Sequence, residues 1–318
     1  MEEKIRMYMD NSNRSFSMIA DVEGEYSDLT NVETPDSLPI LAVRNLVLFP
    51  GVVSPILIGR DSSMSLIRKA EKQGGMVGVV CQRDPEVESP IRADLYDIGV
   101  YAKVLKTLTL PNGNITAIIQ GLGRLRLLEL VKYQPHLIGH ACPAQEEVPE
   151  KRDMEFNTAM EDLRQQTSQY IQMSDDLPEE ASFAIKNVAN NMMALNFICS
   201  NMPFSVKEKM ALLQMDSLKE RLFNTLRIIN REINLQTLKL DIRNKTRDDI
   251  DEQQRNYFLQ QQIKNLQAEM GNESTPEKKD LLEKARRKSW PEDIEKYFYK
   301  EVEKLDQVNQ NSPDFNVQ

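Results

Sequence analysis

Leu108-Thr109-Leu110-Pro111-Asn112-Gly113-Asn114-Ile115-Thr116 sets an Asn-Gly pair between two extended runs. Only residues that tolerate positive φ fit the centre of so tight a turn, so the stretch predicts a β-hairpin. Upstream lie more short, β-branched runs, Pro39-Ile40-Leu41-Ala42-Val43, Ile56-Leu57-Ile58 and Met76-Val77-Gly78-Val79-Val80, separated by Gly, Pro and Asp. They predict further strands. Between the second and third, Asp61 is expected to cap a helix running through Lys72 and closed by Gln73-Gly74-Gly75. Residues 38–148 thus read as a small, curled β domain of about seven strands and one helix.

Downstream the apolar period changes from two to about 3.6, and residues 149–215 predict a helical bundle. Ser205-Val206-Lys207-Glu208 has the spacing of a capping box. Leu222, Leu226, Ile229, Ile233 and Leu240, with Gln236 in the gap, alternate four- and three-residue steps, the seam of a helix packed on another helix. After Asp241 the seam dissolves into charge, and it resumes at Leu259, Ile263, Leu266 and Met270. No Pro or Gly interrupts residues 217–270, so residues 216–271 predict one arm-like helix of roughly 80 Å. Its polar middle, Asp241–Gln254, has no apolar face to bury and is expected to open locally before the packed ends. Thr275-Pro276 and Ser289-Trp290-Pro291-Glu292 announce further helices in 272–318, with proline in the first turn. The fold class expected is α+β.

The chain has 318 residues, enough for two compact units, with Lys+Arg 40 against Asp+Glu 49 and a net charge of -9. That balance argues against nucleic acid or an anionic membrane as the main partner. Residues 1–37 are acidic and lack apolar periodicity, which predicts a disordered tail. No run is long and apolar enough to span a membrane, and MEEKIRMYMD does not resemble a signal or transit peptide, so a cytoplasmic location is expected. Cys81, Cys142 and Cys199 are odd in number and widely spaced, which indicates neither a disulfide framework nor a zinc knuckle.

Catalytic patterns are missing. No glycine cluster leads into Lys-Ser/Thr as a phosphate loop requires. The only histidines, His136 and His140, lie in a strand-like stretch where four-residue spacing puts them about 13 Å apart, too far to share an ion. Gly121-Leu122-Gly123-Arg124 leads into a strand-like run, not a helix, and reads as the glycine-kinked start of a strand rather than a dinucleotide loop. Methionine is the unusual residue: of 15, Met192, Met193, Met202, Met210 and Met215 crowd the first helices of the second half. Flexible thioethers suit a surface that accepts many apolar partners, although ordinary core packing explains them as well.

Together these residues resemble the N-terminal region of the bacterial Lon family of ATP-dependent serine proteases. The resemblance rests on Pro39, Arg44-Asn45-Leu46-Val47-Leu48-Phe49-Pro50-Gly51, Pro55, Gly59-Arg60, Asp94-Leu95-Tyr96, Ile98-Gly99, Gly121, Arg124 and Arg126. In the helical half it continues through Lys207-Glu208-Lys209, Leu212-Leu213, Arg221-Leu222 and Gln254-Arg255-Asn256-Tyr257-Phe258-Leu259, with Gln262, Lys264, Gln267, Glu269 and Gly271. Asn256 and Met270 stand where the family usually carries Glu and Leu.

The resemblance implies a PUA-like β pseudo-barrel, then a helical bundle with one long helix leading toward an ATPase domain expected after residue 318. It implies a region with no catalytic residues, no cofactor and no metal, ATP and Mg belonging to that ATPase domain. The partners implied are unfolded or damaged proteins and the protease's own homohexameric ring. Capture is expected on exposed apolar residues in or beside loops: Leu48, Phe49 and Pro50 in the β domain, and Met192, Met193, Met202 and Phe204 in the bundle. The alternatives are an RNA-binding module, since residues 38–145 carry 12 basic against 8 acidic side chains, and a purely structural oligomerisation arm.

Overall fold

A computed structural model describes residues 17–19, 26, 34–109, 115–174, 177, 179–269, 276–288 and 290–305. The strands are β1 (Met18–Ile19), β2 (Ser37–Val43), β3 (Val52–Ile58), β4 (Met76–Cys81), β5 (Ile98–Thr109), β6 (Ile115–Lys132) and β7 (Ile138–Pro143). The helices are α1 (Asp61–Gln73), α2 (Met154–Met173), α3 (Glu179–Asn187), α4 (Asn191–Asn201), α5 (Val206–Gln214), α6 (Leu218–Glu269), α7 (Pro276–Arg286) and α8 (Glu292–Leu305). The architecture is α+β.

The sheet order is β1-β3-β6-β5-β4-β2-β7, and a further β6–β7 pairing closes the last five strands of that order into a barrel. One long strand makes this possible. The first part of β6 pairs with β3, from Ile115 opposite Ile58 to Gln120 opposite Val53. Its second part turns the same flank to β7, from Leu125 opposite Pro143 to Lys132 opposite Ile138. The change of partner falls at Gly121-Leu122-Gly123, beside a bulge where the register with β5 shifts between Val100 and Ala102. These glycines lie in the middle of a strand rather than at its start, and position 121 needs glycine because a Cβ there would stand 2.3 Å from the Phe49 carbonyl oxygen.

β5 and β6 pair antiparallel out to Thr109 opposite Ile115, so the expected hairpin is present, in a register one residue off that of a two-residue turn at Asn112-Gly113. The turn itself, 110–114, is outside the described residues. The helix expected from Asp61 is present with one change: Arg60 holds the cap position without a side-chain bond and Asp61 begins the first turn. Gly74 closes it at φ 62, the left-handed conformation that glycine tolerates. Glu71 ties α1 to β5 by accepting from the Thr107 N–H at 2.9 Å and its hydroxyl at 2.6 Å.

In the helical half Asp153 caps α2, and the Ser205–Glu208 capping box starts α5. α2 turns Phe156, Met160, Leu163, Thr167, Tyr170 and Ile171 inward. The seam of α6 meets them: Leu222, Leu226, Ile229 and Ile233 are buried, and Gln236 donates to the Met173 carbonyl at 3.3 Å.

Two of the sequence expectations change here. Divisions at 148 and 216 do not appear as breaks in packing. One apolar cluster runs from Val43, Phe49 and Ile119 of the barrel into Met160, Phe197 and Leu222 of the helices, and residues up to Asp241 form one compact unit, those from Ile242 another. The expected disordered tail over 1–37 does not hold at Ser17–Ile19 or Tyr26. Met18 and Ile19 pair with Val53 and Val52, and Tyr26 is buried against the core, because apolar contacts and partners distant in sequence fix them. The rest of residues 1–33 lie outside the described residues. The second unit contains the remainder of α6, then α7 and α8, with Trp290 edge-on to Phe298 at 4.9 Å.

Candidate polypeptide-binding surface

The apolar residues expected to be exposed are mostly core. Leu48 and Phe49 are 2% and 0% exposed and Pro50 is buried; Met193, Met202 and Phe204 are buried too, and only Met192 is half-buried. Their expected exposure is therefore corrected, and the reason is the joint between barrel and helices. Pro50-Gly51 forms a turn in which the Val52 N–H returns to the Phe49 carbonyl at 3.3 Å, with Gly51 at φ 76 as a type II turn demands. The turn sits under β6, since the Gly51 N–H donates to the Gly121 carbonyl at 3.0 Å. From the helical side, the Asn196 amide of α4 donates to the Pro50 carbonyl at 3.1 Å. The apolar loop is thus buried between β6 and α4.

Buried charge fixes this joint. Arg124 of β6 and Arg221 of α6 have fully buried side chains and share Glu146, at 3.2 Å and 2.7 Å. Arg221 also donates to the Leu212 carbonyl at 2.9 Å and to Asn196 Oδ1 at 2.8 Å. Arg124 reaches the Leu213 and Met215 carbonyls at 2.9 and 3.0 Å, Asp216 at 2.8 Å and the Gln145 carbonyl. The Tyr26 hydroxyl donates to Glu146 at 2.6 Å. Neither guanidinium could be buried without such a set of acceptors, because desolvation would otherwise outweigh the ion pairs. The sequence offers little signal for it: Arg124 lies among apolar residues, but Arg221 follows Lys219 and Glu220 as a surface arginine would.

Other apolar residues of the first unit are exposed, among them Leu57, Leu128, Met154 and Phe183. A cleft of about 240 Å³ opens on the barrel between α1, the 88–91 segment and the 133–137 loop, with Ile91 and Tyr133 54% and 49% exposed at its rim. Arg60 and Gln82 hold one wall by donating to the Val87 carbonyl at 3.2 and 2.9 Å. Arg92 anchors the turn after Ile91 by donating to the carbonyls of Leu127 and Leu128 at 2.7 and 3.1 Å. His136, which also lines the cleft, is buried with Nδ1 unpartnered, and burial followed by the charges of Lys69 and Lys132 holds its pKa below the ordinary value. His140 lies on β7, 3.2 Å from Glu129. Among the described residues no three His, Cys, Asp or Glu side chains could hold a metal ion together, and no helix is long and apolar enough to cross a membrane. The cleft combines apolar contact from Ile40, Leu66 and Ile91 with polar side chains, among them Arg60, Ser62, Glu88 and Gln134, a lining suited to holding a ligand.

Residues 37–231 match the family model of the ATP-dependent protease La (LON) substrate-binding domain. Lon protease of Flavobacterium johnsoniae is 44% identical over 292 residues, 92% of this chain and 36% of the relative. Lon protease of Parabacteroides distasonis is 43% identical over 284 residues, 89% of this chain and 34% of the relative. The solved N-terminal domain of Mycobacterium avium complex Lon protease aligns at 18% identity with a TM-score of 0.49, covering 62% of this chain and 98% of that one. The chain spans about a third of the length of the curated relatives it matches. The matched region begins at β2 and ends within α6, so it takes in the closed barrel, the bundle and the charged joint between them, and the chain belongs to the family of Lon substrate-binding domains.

Proposed function

We propose that this chain is the substrate-recognition region of an ATP-dependent Lon protease. It binds unfolded or damaged polypeptide, does no chemistry on it, and delivers it to a cytoplasmic homohexameric ring whose other domains hydrolyse ATP and cut peptide bonds. The observation that carries this reading is the family match over 37–231, which covers most of the first compact unit. The cleft rimmed by Ile91 and Tyr133 supports it, because exposed apolar side chains give contact that does not depend on one sequence.

Binding of reduced, carboxymethylated lactalbumin, followed by fluorescence anisotropy, tests the proposal. Saturable, weak binding with a shallow salt dependence is expected, and Ile91→Ser with Tyr133→Ser should weaken it several-fold. A folded chain that binds no unfolded polypeptide would refute the reading. Binding that tracks RNA and falls steeply with salt would refute it in favour of a nucleic-acid module.

A further inference from the structure

β3 is the strand outside the closed barrel, and a bare strand edge is a template for another chain. Here two residues cover it, Met18 opposite Val53 and Ile19 opposite Val52. Met18 packs on the apolar core, while the polar contacts that hold this segment are directed mainly at its backbone. The Ser17 N–H donates to Asn201 Oδ1 at 2.8 Å, and Asn201 Nδ2 donates to the Ser17 carbonyl at 3.2 Å. One side-chain amide thus satisfies both main-chain groups of a single residue, an arrangement that any residue except proline can enter.

The amide is positioned beforehand. Asn201 is the last residue of α4, and its Nδ2 also donates to the Phe197 carbonyl at 3.1 Å, within its own helix. Only two bonds depend on the seated side chain: Ser17 Oγ to the buried Ser54 hydroxyl at 3.1 Å and from the Ser200 hydroxyl at 3.2 Å. The slot therefore has a strand edge on its barrel side and a fixed amide on its helical side. Its residues fall inside the family match, which begins at residue 37, while the segment seated in it falls outside.

We propose that this slot is a docking site for the extended backbone of an unfolded polypeptide, which adds as a strand to β3 and engages Asn201, and that Ser17–Ile19 occupies it in cis as a competitor. The inference rests on the recognition role proposed above and assigns part of it to a place. Backbone pairing supplies affinity without sequence preference, as strand addition does generally. A two-residue pairing is short enough to be displaced, and a competitor tethered in the same chain lowers apparent affinity without preventing binding.

A cross-link tests it. Met18→Cys with Val53→Cys places thiols on directly opposed residues, within disulfide reach, in a Cys142→Ser background that removes the half-buried native thiol. With carboxymethylated lactalbumin as probe, the oxidised, locked chain should bind about tenfold more weakly than the same chain reduced, as loss of an intramolecularly contested site requires. Removing residues 1–19 should tighten binding, and adding Asn201→Leu to that deletion should reverse the gain. Circular dichroism establishes folding, and if the deletion does not fold the cross-linked pair still decides. Equal binding by locked and reduced chains overturns the slot and leaves the recognition role standing. No binding by any folded form overturns both.

Discussion

The helix α6 carries the same apolar spacing twice, with opposite results. Leu222, Leu226, Ile229 and Ile233 in its first part are at most 9% exposed, whereas Leu259, Ile263 and Leu266 in its later part are 45%, 56% and 57% exposed. A four-three spacing places apolar side chains along one stripe of a helix, but burial requires an element to cover that stripe. The first stripe has α2 and α4 in the same apolar cluster, as Tyr170, Ile171 and Phe197 show. The second belongs to the other compact unit and is bare among its described residues. Equal patterning therefore corresponds to unequal stability.

Amide exchange on the whole chain should show the largest contrast. Amides of Leu222–Ile233 should open only with their unit, at a global free energy of about 5–15 kcal/mol, while those of 241–256 exchange through local opening. Helicity there rests on i,i+4 charge pairs such as Lys245–Asp249 and Arg247–Asp251, each contributing about 0.2–0.5 kcal/mol. Equal protection of the two stretches would erase the contrast and make the polar segment a rigid spacer.

Substitutions sharpen the comparison at single positions. Arg221→Ala leaves Glu146 without its closest buried cation and should destabilise the first unit by about 3–5 kcal/mol. Leu222→Ala should cost about 2–5 kcal/mol, whereas Leu259→Ala and Ile263→Ala should stay within about 0.5 kcal/mol. Urea unfolding followed by circular dichroism reads the first unit. The single tryptophan, Trp290, reports on the second, so its fluorescence transition should not move in Arg221→Ala or Leu222→Ala and should move little in the other two. A cost above 2 kcal/mol at Ile263 would mean that the second stripe is covered after all.

A smaller effect separates the units by pH. Burial pushes the Lys209 ammonium, which donates to the Ser200 carbonyl, down to about 8 from its ordinary 10.5. A lysine whose folded pKa is depressed costs stability while charged, so the cost is complete below about pH 8 and relieved as pH rises toward the unfolded value. The first unit should therefore gain stability between pH 8 and 9, before the buried thiols of Cys81 and Cys199, pushed upward by burial, oppose the gain. Lys209→Met should flatten that rise. A wild-type profile already flat there would contradict the burial argument.

The strands, the α1 helix, the capping box at Ser205 and the long α6 were legible because each depends on groups a few residues apart: turn-forming Asn-Gly, a glycine free to take positive φ, a hydroxyl and carboxylate three residues apart, an apolar period. The candidate surface was legible only as chemistry. Leu48, Phe49, Met202 and Phe204 were recognised as apolar residues in or beside loops, but their loops turned out to be where barrel and helices press together. Tyr26 and Ser17–Ile19 sit in a polar, acidic stretch with no period, so nothing local announces that they seat on Glu146, Asn196 and Asn201. By itself the sequence determined most of the strand and helix segments, and it carries no recognisable catalytic pattern, since those properties rest on near neighbours along the chain. Tertiary structure alone decided which apolar stripes are covered, that barrel and bundle share one core around Arg124, Glu146 and Arg221, and that a strand edge is already occupied. Those outcomes depend on contacts spanning up to 184 residues of sequence, and no local pattern encodes them.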